Sequence, residues 1–294
     1  MLLAAPSGVT LYPVPFMLAV AFSSSIGSAL SVTGNPQNMY IGIVSGMPYA
    51  GFMLYTLVPV ALSLVLAYLV LSRMYKKDLG AITLEINEEA PLNNREHLLY
   101  DRVLIIKSLI TLALVLILFL LDVGYPFAAL VGATAIILCG RITPRIALAK
   151  VDWQLLIFFA GLFVVMGTLE QTSFMESLLQ RAETVMGGSE LSAIGIIGSV
   201  TLLLSNLVSN LPAVMMIYPA LEHLMLPDKF SAYLALVSTF AGNLTIIGSV
   251  ANIIVVERAR MAGVNISFMT YLKAGAVITL GSTIFATGYI LIIP

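Results

Sequence analysis

The chain has 294 residues, 60% of them hydrophobic and 10% charged, with a mean hydropathy of +1.02. Such values exclude an ordinary water-soluble domain and make lipid the expected solvent. The formal net charge of −1 averages over two different surfaces and carries no message about nucleic acid, which is not an expected partner, and a single cysteine, Cys139, excludes a disulfide framework or a cysteine-based metal site.

In chain order, residues 1–72 contain no Asp, Glu, Lys or Arg, so no basic leader marks a cleavable secretory signal. Within this stretch, 15–47 predicts an interrupted helix and 52–71 a plain span. Residues 75–101, with Asn87, Glu88, Glu89, Pro91, Asn93 and Asn94, form the longest hydrophilic run and predict a cytoplasmic linker. Spans follow at 103–121, 125–138 and 153–169. The run LALVLILFLL at 112–121 is apolar all round, whereas a soluble helix keeps a polar stripe. A re-entrant helical pair is expected at 191–225, a second interrupted helix at 230–256 and a last span at 271–293. The simple spans approach the roughly 20 residues that a helix needs to cross the hydrocarbon core.

Loop charge assigns the sides. Arg73, Lys76, Lys77, Arg95, Arg102, Lys107, Arg141, Arg145, Lys150, Arg258, Arg260 and Lys273 share one face; only Arg181 and Lys229 fall on the other. A bias of 12 to 2 marks the first face as cytoplasmic. Residues 73–102, 141–152 and 257–270 are then cytoplasmic and the C-terminus external, in a multi-pass protein of the inner or plasma membrane. The opposite face carries Asp122, Glu170, Glu176, Glu183, Glu190, Glu222 and Asp228. This assignment requires 191–225 to enter and leave from the external side. His97 and His223 lie beside loop acids and read as solvated or interfacial.

Three polar clusters interrupt the apolar sequence. The first is Ser28 followed by Thr33-Gly34-Asn35-Pro36-Gln37-Asn38; the second is Ser205-Asn206-Leu207-Val208-Ser209-Asn210-Leu211-Pro212; the third runs from Gly242-Asn243-Leu244-Thr245 to Gly248-Ser249-Val250-Ala251-Asn252. The first and third share a hydroxyl-rich run followed by Gly-xxx-Asn. Gly34 and Gly248 let the backbone leave the helix, and Pro36 removes a donor and restarts a helix in its first turn. Irregular backbone at membrane depth is tolerated only where it is enclosed by protein or lines a watery cavity, and paired broken helices point to a transporter's binding site. The two Asn and two Ser of the middle cluster offer neutral donors and acceptors without the cost of a buried charge. Small and polar residues also serve close helix packing, which is the preferred role for Gly195, Gly198 and Gly275.

These motifs, with Ser25-Ile26-Gly27-Ser28 ahead of the first, resemble the ion transporter superfamily that groups divalent-anion/sodium symporters and citrate carriers with arsenite pumps and sodium/proton antiporters. They look most like its bacterial anion permeases with a citrate-transporter-like domain. The resemblance implies an all-α polytopic membrane protein with an inverted-repeat transporter fold, each half holding a re-entrant hairpin and a broken helix. Residues 1–74 would be the C-terminal remainder of the first repeat and 102–294 the second repeat. Only 24 residues precede Ser25, so the first repeat is expected to be incomplete, with Met1 in the returning arm of its hairpin.

The binding residues implied by the resemblance are Ser28, Thr33, Gly34, Asn35, Pro36 and Asn38 in the first half. In the second half they are Ser205, Asn206, Ser209, Asn210, Asn243, Thr245, Gly248, Ser249 and Asn252. Na⁺ is expected near Gly34, Asn38, Gly248 and Asn252, and the anion between the tips. The expected function is secondary active transport of small anions, either a di- or tricarboxylate such as citrate or an inorganic anion, with Na⁺ or H⁺ as coupling ion and no other cofactor. Expected partners are the substrate anion, the bilayer and a second copy in a homodimer. Arsenite or antimonite export, Na⁺/H⁺ antiport, and an inactive fragment or half of a two-chain transporter remain as alternatives. The lack of an acid in any central span ranks antiport lower and favours Na⁺ over H⁺. No catalytic constellation is present in the sequence.

Overall fold

A computed structural model describes residues 13–80, 102–140, 143–173, 189–223 and 228–293, with isolated positions between 174 and 188. Linker residues 81–101, with Arg95 and His97, lie outside the described residues, as do Arg141, Glu176 and Glu183. The protein is an all-α polytopic membrane protein: the described residues form helices joined by turns, and four of the helices are long and apolar enough to cross a membrane.

The first long apolar segment is not one helix. Helix α1 (Pro13–Ser28) carries its two prolines in the first turn, where a missing N–H costs nothing, and it ends before a 3-10 turn at Val32–Gly34. Helix α2 (Pro36–Val44) starts with Pro36 in its first position, and the Asn35 side chain caps it by accepting from the Asn38 N–H at 2.8 Å. Helix α3 (Tyr49–Met74) runs for 26 residues despite an internal proline, Pro59, and a short helix α4 (Lys76–Gly80) occupies the start of the expected linker.

Next come α5 (Arg102–Leu120), α6 (Tyr125–Cys139), α7 (Pro144–Ala149) and α8 (Trp153–Glu170). Helix α7 was not anticipated; it fills part of the 141–152 segment that charge alone marks as a loop. Helices α9 (Glu190–Val208) and α10 (Asn210–His223) are joined by the single residue Ser209. Helix α11 (Asp228–Ala241) leads through a 3-10 turn at Ile246–Gly248 into α12 (Val250–Met261), and α13 (Phe268–Ile292) closes the series.

The chain forms two compact units. One contains residues 48–50 and 89–164. In it α5 and α6 pack as a pair, with Gly132 admitting the Val115 side chain, and the Lys107 ammonium donates to the Cys139 carbonyl at 2.7 Å. At the other end of the pair, Asp122 accepts from the Tyr49 N–H at 3.0 Å, and Tyr49 stacks on Phe119.

The other unit contains residues 1–47, 51–88 and 165–294. Its centre is α11, buried from Lys229 to Ala241 and packed against α1, α2, α9, α10 and α13. That burial explains why 229–241 holds no acid, while its one base, Lys229, is satisfied by the Glu190 carboxylate at 2.6 Å and the Ile293 carbonyl at 2.9 Å. Gly198 gives room to the Tyr233 hydroxyl, which shares a hydrogen bond with Thr287 at 2.8 Å, and a Cβ at Gly275 would collide with the Asn243 carbonyl oxygen. Both glycines serve close packing as expected, whereas nothing lies within 4 Å of a Cβ built at Gly195.

A constant offset of 214 residues relates the two broken helices. It carries Ser28 to Gly242, the turn Val32–Gly34 to Ile246–Gly248, the cap Asn35 to Ser249, and Asn38 to Asn252. An offset of 219 carries the start of α3 to the start of α13; of the five added residues, three lie in α12, which is 12 residues long against 9 in α2, and two in the loop that follows it.

Candidate functional site

The two breaks are built alike, from a glycine and an asparagine around a free stretch of backbone. A Cβ at Gly34 would overlap the Ser28 carbonyl oxygen, and one at Gly248 would sit 2.7 Å from the Gly242 carbonyl oxygen. Only glycine lets the chain fold back so closely on the end of the preceding helix. Four residues later, the Asn38 amide donates to the carbonyls of Ser28 at 3.2 Å and Ser31 at 3.0 Å; Asn252 likewise donates to Gly242 at 2.8 Å. Each asparagine thus satisfies backbone that the interrupted helix releases.

The following helix supports each break. Thr56 of α3 donates to the Leu30 carbonyl at 2.8 Å, and Thr279 of α13 donates to the Phe240 carbonyl at 3.1 Å.

The α9–α10 tip lies against the second break. Asn206 donates to the Ala241 carbonyl at 3.0 Å and accepts from the Thr245 hydroxyl at 3.3 Å. Asn210, oriented by its hydrogen-bond network, donates to the carbonyls of Ser238 at 3.1 Å and Gly248 at 3.3 Å. Between them Ser209 adopts φ 78° and ψ 160°, a region nearly confined to glycine and costing about 1–3 kcal/mol.

Thr239 joins the halves. Its hydroxyl accepts from the Asn35 amide at 3.1 Å and the Gln37 amide at 3.3 Å while donating to the Ala235 carbonyl at 2.9 Å. Asn35 also donates to the Ser28 hydroxyl at 3.1 Å. The first break, the second broken helix and the hairpin tip therefore form one polar network in an apolar unit.

The structure sorts the implied binding residues by what their polar atoms do. Asn35, Asn206 and Asn210 engage protein partners through their side chains. Asn38 and Asn252 are fully buried; each donates through nitrogen, and each Oδ1 has no protein partner. Ser205 is fully buried with its hydroxyl unpartnered, and neither amide atom of fully buried Asn243 has a partner. Ser28 donates to the Ser25 carbonyl at 2.7 Å, Ser249 opens α12, Pro36 opens α2, and Thr33 is exposed on the first turn. No charged side chain belongs to this set, so the uncommitted chemistry is amide and hydroxyl oxygen plus amide N–H.

Thr56, Thr239, Thr279 and Gln37 were not on the sequence-derived set. Thr239 had a signal: Ser238-Thr239 precedes Gly242 as Ser24-Ser25 precedes Ser28. Thr56 and Thr279 are lone hydroxyls in apolar helices and carry no comparable mark.

An all-α membrane protein with two matched helix breaks and a hairpin tip against the second of them is thereby defined. The chain belongs to the citrate transporter family, whose model matches residues 9–229. It is 32% identical over 290 residues to an uncharacterized transporter of Mycobacterium tuberculosis, across 94% of this chain and 67% of that protein. Similarity to the 46 kDa membrane protein of Mycobacterium leprae is 30% over 293 residues, covering 96% of this chain and 68% of the other. A silicon efflux transporter of Oryza sativa subsp. japonica is 27% identical over 316 residues, with 87% and 65% covered.

Proposed function

We propose that the chain takes part in secondary active transport of a small oxyanion, a di- or tricarboxylate such as citrate, driven by a Na⁺ gradient. The observation that carries this reading is the symmetric pair of buried amide oxygens, Asn38 Oδ1 and Asn252 Oδ1, each beside a glycine-dependent helix break and without a protein partner. Neutral oxygen donors suit a hard monovalent cation. Na⁺ near Gly34 and Asn38, and near Gly248 and Asn252, would supply positive charge, and the anion would lie beside it against Ser205 and the Ser209 tip. H⁺ is the less favoured coupling ion, because the site has no carboxylate to carry it.

Membership of the citrate transporter family supports the carboxylate. The loop charges support a multi-pass protein of the inner or plasma membrane with residues 73–102, 141–152 and 257–270 cytoplasmic. A homodimer accords with the largely exposed apolar faces of α5 and α8.

The test is uptake into proteoliposomes of labelled citrate, succinate, sulfate and arsenite, with an inward Na⁺ gradient or with choline in its place. Na⁺-driven citrate or succinate accumulation is expected; entry of neither under any gradient would end this reading. A second reading, efflux of a neutral hydroxide, is favoured by the wholly uncharged donor set and by the similarity to the rice silicon efflux transporter. Arsenite flux without carboxylate flux would establish it.

A further inference from the structure

The repeat offsets bring out a difference between otherwise matched breaks. Gly34 pairs with Gly248 and Asn38 with Asn252; on the supporting helices Ser63 pairs with Ser282, and both hydroxyls are buried and unpartnered. Position 29, however, is a buried alanine, whereas its counterpart is Asn243. Thr56, whose hydroxyl holds the Leu30 carbonyl, corresponds to Gly275, whose bare α-carbon lies against the carbonyls of Asn243 and Leu244. The second break therefore holds a complete amide with no counterpart in the first, and a glycine leaves room for the adjacent backbone.

Asn243 differs in kind from the other amides of the network. Asn252 spends its nitrogen on the Gly242 carbonyl, and Asn206 and Asn210 are held by the break itself. Asn243 is fully buried and spends neither end. Burying a polar group without a hydrogen bond is costly, and an amide offers an acceptor and a donor about 2 Å apart on one rigid plane. One ligand pair meets both demands: a cation on Oδ1 and an anionic oxygen on the Nδ2–H.

We infer that Asn243 is the residue through which cation and oxyanion sense one another, binding Na⁺ through its oxygen and a substrate oxygen through its nitrogen. This inference rests on the transport reading above. The second repeat then carries the energetic linkage, while the first break, with Ala29, binds its cation without direct contact to the anion. Because such coupling is reciprocal, Na⁺ tightens anion binding and the anion tightens Na⁺ binding through the same amide.

The experiment uses the purified full chain and its Asn243→Ala and Asn243→Asp variants. Citrate affinity is measured at low and saturating NaCl, with choline chloride holding ionic strength, and thermal unfolding is followed with NaCl alone. Alanine is the residue at the matching place in the first break, so the backbone has a precedent for accepting it. In the wild type Na⁺ is expected to tighten citrate binding about 5-fold or more, the lower end of ordinary coupling, and in Asn243→Ala less than 2-fold. NaCl alone should still raise the unfolding temperature of Asn243→Ala through the first break. Asn243→Asp, which keeps oxygen but lacks the N–H, should retain the NaCl shift and lose citrate affinity. Wild-type coupling preserved in Asn243→Ala overturns the inference and leaves the transport reading standing. A wild type that responds to neither NaCl nor citrate overturns both.

Discussion

At the scale of single residues, the site is decided by which side chains the protein has already used. Asn38 and Asn252 hold the backbone with one end and leave the other without a protein partner, so each is a structural brace and, under the proposed function, a ligand as well. Replacing either with alanine strips donors from break carbonyls and should cost about 1–3 kcal/mol of stability. Uptake should fall at least tenfold while membrane insertion persists. Proteoliposome flux beside a thermal unfolding curve checks both, and unchanged flux would remove the residue from the site. Gly34→Ala should be more damaging than Gly248→Ala, because its Cβ overlaps the Ser28 carbonyl outright whereas the other meets Gly242 at 2.7 Å. The yield of folded protein after detergent extraction measures that order.

The sequence made the types and spacing of these residues readable, since Gly-xxx-Asn recurs after a hydroxyl-rich run. Their division of labour was not readable. Asn35, Asn206 and Asn243 are chemically the same side chain, and only the partners brought by Thr239, Ala241 and Thr245 separate the engaged ones from the free one. Thr56 and Thr279 escaped for a related reason: a single threonine in an apolar helix looks like a packing residue until the carbonyl opposite it is known.

At the scale of elements, the hairpin is fixed at both ends of its first arm. Glu190 pairs with Lys229 where α9 and α11 begin, and Asn206 and Asn210 grip the break that follows α11. Glu190→Gln leaves the buried Lys229 ammonium with the Ile293 carbonyl and should lower stability by about 1–3 kcal/mol, seen as a lower unfolding temperature at equal salt. At the tip, Ser209 holds a backbone conformation suited to glycine. Ser209→Gly should therefore unfold at a higher temperature than Ser209→Ala, because only glycine relieves the strain; equal stabilities would show that the turn relaxes. In the sequence, the loop charges, which need both ends of 191–225 on one side, are what point to a hairpin. Its one-residue turn was invisible, because serine gives no sign of positive φ.

At the scale of the whole molecule, the repeat and the compact units divide the chain differently. The repeats follow sequence order, while α5, α6, α7 and residues 153–164 of α8 belong to a different unit from the one that holds both breaks. The linker expected at 75–101 lies outside the described residues beyond Gly80, and compactness depends on contacts between distant segments that composition does not encode. The proposed sidedness makes a direct prediction. In a Cys139→Ser background, a cysteine at Ala149 should react with a membrane-impermeant maleimide only from the cytoplasmic side, and one at Ser189 only from outside. Labelling of both from the same side would refute the assignment.

The single residue between α9 and α10 also governs which genetic changes this region can survive. Within a helical arm each added or deleted residue turns the chain beyond it by about 100° and shifts it about 1.5 Å, and at the non-helical tip it changes the spacing of Asn206 and Asn210, so an in-frame indel there would pull Asn210 off the Ser238 and Gly248 carbonyls. Point changes at Ser209 keep that phase. Natural variation here should consist of replacements, with length polymorphism confined to the outer ends of the two arms.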